Sequence, residues 1–269
     1  MPPPATGYKR FAILIPAYRE DAVIHECVRS CLDQDYPVDK FDIVVISDHM
    51  KSETNASLSA LPIRLIEVHF EHSTKSKALN AAMATIGDDY DVALILDADN
   101  VIPYTYLNDV NDLYACPGVE IVQTHRVAKN LNSDMALLDA MSEEINNTIF
   151  RLGHAKLGMS AALIGSGMMF DFEMFHRITP RLEGTDLTKA MEVELLKENI
   201  YTEYMEEIIC YCKKQEDTMG YSNTRRRWLS AQFRSTWLAI IQLPIAFLQG
   251  KWDLCEKLFQ WLLPSRFLL

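Results

Sequence analysis

Two carboxylates, Asp97 and Asp99, stand one residue apart where the apolar segment LILDADNV turns polar, with Asn100 directly behind them. An Asp-x-Asp pair leaving an apolar run suits a hard divalent cation such as Mg2+ or Mn2+, which takes oxygen ligands and leaves positions for substrate phosphates. A third acid, Asp48, closes the apolar run FDIVVISD. In open parallel sheets ligands bind beyond the carboxyl ends of the strands, so acids at several such ends converge on one cleft. The stretch STKSKALNAAM adds Lys75 and Lys77 at the start of a helix. Positive groups beside a helix N-terminus would hold a diphosphate. Each piece alone has a plain alternative: two acids that begin a turn, two solvated lysines. The coupling of Asp48 to the Asp-x-Asp pair favours a working site.

The elements that must position these residues are legible from periodicity. FAILIPAY, FDIVVISD and DVALILDAD are short apolar runs with polar bounds, which predicts three buried parallel strands. Between the first two, Val23, Ile24, Cys27, Val28, Cys31 and Leu32 recur at helical spacing. IRLIEVHF reads as a further strand, and SKALNAAMATIG as a helix stopped by Gly87. Further on come VEIVQTHRV (strand), MALLDAMSEEINNTIFRLGHAKLG (long amphipathic helix), ALIGSGMMF (a strand broken by glycine), KAMEVELLKEN (helix) and YTEYMEEIICYCKK (a strand pair). Strands alternating with helices give an α/β class with a mostly parallel sheet.

Composition bounds the partners. The 269 residues carry a net charge of −11, which disfavours nucleic acid as a partner. The charge is uneven: residues 221–269 hold seven Lys or Arg and two Asp or Glu. An acidic body thus precedes a basic, apolar tail, and the composition shifts once, near Tyr221. Cys27, Cys31, Cys116, Cys210, Cys212 and Cys255 lack a metal-ligand spacing and read as reduced thiols. The N-terminal MPPPATGYKR has no apolar core and is not expected to be a signal peptide.

The ordered set ILIPAYRED, IVVISD, KSKALNAAM, LILDADN, GSGMMF and RRRW resembles the family 2 glycosyltransferases of GT-A fold, over about residues 9–235. The resemblance implies a GT-A nucleotide-diphospho-sugar transferase fold over residues 1–220 and a nucleotide-sugar donor, UDP-linked by preference. By the same resemblance Pro16, Ala17, Tyr18 and Glu20 border the base and ribose, and Asp48 contacts the base. Lys77 lies near the donor, Asp97 faces the donor sugar or ribose, and Asp99 ligates the metal. Gly165, Ser166 and Gly167 border the acceptor, where small residues let a substrate approach the backbone.

Inverting members need a general base, usually from a Glu-Asp pair that opens a helix after the acceptor loop. Leu187 and Thr188 align with that pair, and threonine is no base at neutral pH. Of the neighbouring acids Glu183, Asp186 and Glu192, Asp186 is the expected base, while Glu192 reads as a solvated helix acid. In NTRRRW, Thr224 replaces the glutamine of processive members, leaving Arg227 for phosphate and Trp228 for stacking on an acceptor sugar.

The tail TWLAIIQLPIAFLQ is too short to span a bilayer, which takes about 20 apolar residues. With KWDLCEKLFQWLL and tryptophans 237, 252 and 261 it reads as an amphipathic membrane-interface segment over residues 221–269, leading to transmembrane helices beyond this chain. Docking of the tail onto the domain's own core is the alternative. The expected setting is the cytoplasmic face of a membrane, with a glycan or lipid-linked acceptor. Two other readings stay open: a degenerate domain that binds donor or acceptor as a partner subunit, and a haloacid-dehalogenase-like phosphatase with Asp97 as nucleophile.

Overall fold

A computed structural model describes residues 4–182, 187–214, 233 and 235–262. The expected strands β1 (Phe11–Tyr18), β2 (Phe41–Asp48) and β4 (Val92–Ile95) pair in parallel, with β1 in the middle. β3 (Arg64–Val68) extends the parallel set beyond β2. Beyond β4 lie β7 (Met168–Asp171), β6 (Ile121–Ala128), β8 (Thr202–Cys212) and the two-residue β5 (Asn100–Val101). β7 runs antiparallel to both neighbours and β5 antiparallel to β8, so the sheet is mixed but mostly parallel.

Successive strand residues face opposite sides of a sheet, and β1 is buried on both. Phe11, Ile13 and Ile15 pack toward helices α1 (Ile24–Leu32) and α4 (Tyr106–Tyr114). Ala12 and Leu14 pack toward α3 (Lys75–Met83), α7 (Phe172–Ile178) and α8 (Leu187–Lys197). This two-sided burial explains the unbroken apolar runs. α1 follows its predicted face, burying Ile24, Cys27, Val28 and Cys31. α2 (Ser52–Ser59) covers β3. All six cysteines are free thiols.

Four local expectations need correction. α3 ends at Met83, before Gly87, because the chain tightens into a turn after Ala84, where the Thr85 N–H donates to the Ala82 carbonyl three residues back. Gly165 and Gly167 precede β7 instead of interrupting it. YTEYMEEIICYCKK forms one long strand, with a register shift opposite Thr124/His125 that absorbs the irregular pattern. Glu192 is 6% exposed instead of solvated: its Oε1 accepts the Leu163 N–H at 2.9 Å and lies 3.6 Å from the Lys257 ammonium.

The tail both docks and exposes. Helix α9 (residues 235–248) and α10 (Trp252–Leu262) place Ala239, Ala246, Leu254, Leu258 and Trp261 against Val193 and Leu196 of α8. Trp261, expected at an interface, is therefore buried, whereas Trp237 and Trp252 are exposed. No helix among the described residues is long and apolar enough to cross a membrane.

α5 (Asp134–Asn146) begins at a Ser133 cap whose side chain accepts the Ala136 N–H. It continues through a π-helical turn, Asn147–Gly153, into the short α6 (His154–Lys156). The helix is amphipathic as expected, but its apolar side faces outward.

Candidate active site

The in-register pairing of β1 with β2 sets Tyr18 level with Asp48, and the Leu14–Ile95 pairing brings Asp97 to the same rim. Arg19 and His49, the residues that follow β1 and β2, adopt φ of 56° and 55°. Left-handed non-glycine residues cost about 1–3 kcal/mol each and concentrate at functional sites. Asp48 is buried, with its Oδ1 2.5 Å from His49 Nδ1. Tyr18 is exposed and stacks edge-on to His49, while Pro16 is part-buried and Ala17 packs into the core.

Asn100 fixes the Asp-x-Asp turn. Its Oδ1 accepts the Asp97 N–H at 3.0 Å and its Nδ2 donates to Asp99 Oδ1 at 3.1 Å. Lys75, the first residue of α3, donates its ammonium to Asp97 Oδ1 and, at 2.5 Å, to the Gly165 carbonyl. Lys77 instead bonds the His72 carbonyl at 2.7 Å. Lys75 is thus the lysine that joins the Asp97/Asp99 pair to the Gly165–Gly167 loop.

Arg126 on β6 is the residue that motif reading missed. Its guanidinium lies 3.7 Å from Asp97 Oδ2 and donates to the buried Ser166 hydroxyl at 3.3 Å. Behind it, Nε is 2.8 Å from Glu143 Oε1 on α5, an ion pair whose N–H is angled off the carboxylate. The same Glu143 binds Lys214, two residues past the end of β8. Burial, then the Arg126 charge, lowers the Lys214 ammonium to about 8, opposed by Asp139.

The two motif acids are driven apart electrostatically. Burial alone would raise Asp97, but Lys75 and Arg126 outweigh it and hold the carboxyl below its usual value. Asp99 is held above its usual value by burial and then by the Asp97 charge. Glu20 is raised by burial, then by Asp99 and Asp97. Like charges gathered in low dielectric call for a cation. Among the described residues no three His, Cys, Asp or Glu side chains form a protein-only cation cage. The donor set fits the other mode, in which one or two carboxylates and substrate phosphates share a Mg2+ or Mn2+.

Gly165 and Gly167 adopt φ of 107° and 61°. A Cβ on Gly167 would fall 2.6 Å from Thr124 Oγ1 and 3.3 Å from Cys210 Cβ, so only glycine lets this loop lie on β6 and β8. Gly167→Ala is expected to cost about 2–3 kcal/mol from left-handed strain and overpacking, read as a lower urea midpoint. Loss under 0.5 kcal/mol would show that the loop can move away. A Cβ on Gly165 would lie 3.6 Å from Thr188 Cγ2, which puts the start of α8 beside the loop. Asp186, Arg227 and Trp228 lie outside the described residues.

Comparisons with known proteins agree with this geometry. The solved mannosyltransferase PcManGT of Pyrobaculum calidifontis, in complex with GDP-Man and Mn2+, matches with a TM-score of 0.62 at 22% identity, over 88% of this chain and 64% of that one. Staphylococcus aureus TarS with UDP-GlcNAc matches at 0.54 and 16%, over 77% and 59%. These likenesses show a shared GT-A fold, which leaves no place for the phosphatase reading. Beta-monoglucosyldiacylglycerol synthase of Synechocystis sp. is 26% identical over 141 residues, 48% of this chain and 29% of that protein. The probable glycosyltransferase YdaM of Bacillus subtilis is 27% identical over 134 residues, 45% and 31%. The aligned part thus spans less than a third of either curated relative. The model of the glycosyltransferase-like family 2 matches residues 9–231, and by that match this chain belongs to the family.

Proposed function

We propose that the protein transfers a sugar, with inversion, from a nucleoside-diphosphate donor to an acceptor hydroxyl, using Mg2+ or Mn2+. One observation carries the reading: Lys75, Arg126 and the Gly165–Gly167 loop meet the Asp97/Asp99 pair at one strand-end rim. Tyr18 and Asp48 receive the base, with Pro16, Ala17 and Glu20 around it and Lys77 on the flank. Asp99 holds the cation, which when bound offsets charge on the departing diphosphate. Lys75 keeps Asp97 ionised and tethers it to Gly165, so the donor sugar sits between the acids and the acceptor loop.

Asp186, directly before α8, is the proposed base that takes the proton from the acceptor hydroxyl as its oxygen attacks the anomeric carbon. Arg227 and Trp228 are assigned to the acceptor side. A lipid-linked or glycan acceptor at the cytoplasmic face of a membrane fits the exposed Trp237, Ile241 and Trp252, and the relative named as a glycolipid synthase supports it. UDP is the favoured donor nucleotide.

Thr188 at the aligned base position, against Gly165, favours a second reading, in which the domain binds nucleotide sugar without transferring it. Calorimetric titration with UDP and GDP, with and without Mn2+, tests the donor site. Metal-dependent binding is expected, and no binding of either nucleotide would overturn the proposal. Release of UDP or GDP from nucleotide sugars, measured with and without a lipid acceptor, separates the two readings.

A further inference from the structure

Helix α5 is amphipathic in the reverse sense. Its three charged residues between 137 and 149 pair with groups on or just past the strands, Glu144 while still 56% exposed. Asp139 lies 3.5 Å from the Lys214 ammonium, and Glu143 pairs with Arg126 and Lys214. Glu144 Oε2 is 3.1 Å from His125 Nε2 and accepts from Asn147 Nδ2 at 3.2 Å. The side turned to solvent carries Leu137, Leu138, Met141, Ile145 and Ile149, each 45–55% exposed. Steps of four residues put Leu137, Met141, Ile145 and Ile149 on one stripe. A helix normally turns such a stripe to the core.

The size and surroundings of the stripe point to its occupant. Five half-exposed side chains present on the order of 400–500 Å2 of apolar surface, enough to mark a contact but short of the about 800 Å2 per partner of a stable protein interface. The stripe itself is aliphatic, flanked by the exposed Asp134 and Glu144, and continues into other apolar surface. α5 runs through the π-helical turn into α6, where Glu256 and Gln260 of α10 lie 3.0 and 2.5 Å from His154 Nε2. α9 and α10 then expose Trp237, Ile241, Leu248, Trp252 and Phe259. An aliphatic stripe with charged residues only at its margin, beside exposed tryptophans, is what the headgroup boundary of a bilayer accommodates.

We propose that α5 lies against a lipid bilayer with its stripe among the acyl chains, as a contact of the catalytic domain itself beside that of α9 and α10. This rests on the membrane-borne acceptor proposed above and places that acceptor: the helix that meets lipid on one side holds Arg126, and through it Ser166, on the other.

Flotation with phosphatidylcholine vesicles, with and without phosphatidylglycerol, tests it. Met141→Glu/Ile145→Glu is expected to lower vesicle partition at least about tenfold, the factor that two half-buried side chains supply. The circular dichroism spectrum and UDP affinity should stay those of the unaltered protein. Equal flotation of the variant and the unaltered protein would overturn the proposal, as would no flotation of either. So would a sedimentation result in which the unaltered protein is a dimer and the variant a monomer, since the stripe would then belong to a second copy. Loss of UDP binding in the unaltered protein would strike the donor-site reading alone, because flotation does not depend on it.

Discussion

Asp99→Asn is expected to lower sugar transfer at saturating Mn2+ by roughly 10²–10³-fold, the usual loss of one charge-stabilising group, while raising the melting temperature of the ligand-free protein. Both effects come from the same burial. Folding raises the Asp99 pKa, through burial and then the Asp97 charge. A raised acid contributes stability that is fully present below its unfolded pKa, about 3.9, and lost as pH rises through the folded value. At neutral pH the ionised Asp99 therefore costs the empty fold, and asparagine removes that cost. The gain should vanish when melts are repeated below about pH 3.9.

Asp97→Asn should behave oppositely. Its lowered pKa, where Lys75 and Arg126 prevail over burial, contributes stability present above the unfolded value and lost as pH falls through the folded one. Unchanged turnover in Asp99→Asn would sink the metal assignment. Raised activity together with lowered melting would sink the electrostatic account as well.

Lys257→Ala is expected to cost about 3–5 kcal/mol, the penalty for stranding one partner of a buried ion pair. At about 2–4 °C per kcal/mol for a chain of this size, the melting temperature should fall by roughly 6–20 °C. Lys257 is 2% exposed and its partner Glu192 6%, so neither charge is well solvated alone. Glu192 also accepts the Leu163 N–H, two residues before Gly165. The variant should therefore raise the KM for the acceptor besides melting early. Adding Glu192→Gln to Lys257→Met should recover most of the stability, since the remaining groups are neutral and the amide oxygen still accepts from Leu163. A single-variant cost under 1 kcal/mol would show that water reaches the pair.

The central strands were legible because burial on both faces leaves one-dimensional apolar runs, and the Asp-x-Asp pair because it interrupts one of them. Arg126 was not. Its role depends on β6 lying beside β7, next to β4, and on a helix reaching back to it, which are contacts distant in sequence. Lys75 and Lys77 differ only in helical phase, which no motif reports. The α5 pattern predicted a helix with two unlike faces, but periodicity is silent on which face meets the core. That depended on Arg126 and His125 on β6, and Lys214 just past β8, waiting for the acids. Glu192 reads as a surface acid because its cation comes from residue 257, far along the chain.

The pair between residues 192 and 257, with the contacts of His154 to Glu256 and Gln260, bears on how such a chain can be recombined. A crossover at residue 220 separates every one of these partners. A chimera that takes its catalytic part from one parent and its helical tail from another would inherit a buried charge without its counterion, unless positions 192 and 257 were exchanged together. Shuffling libraries with breakpoints near 220 should thus yield folded progeny mainly from parents that match at both positions.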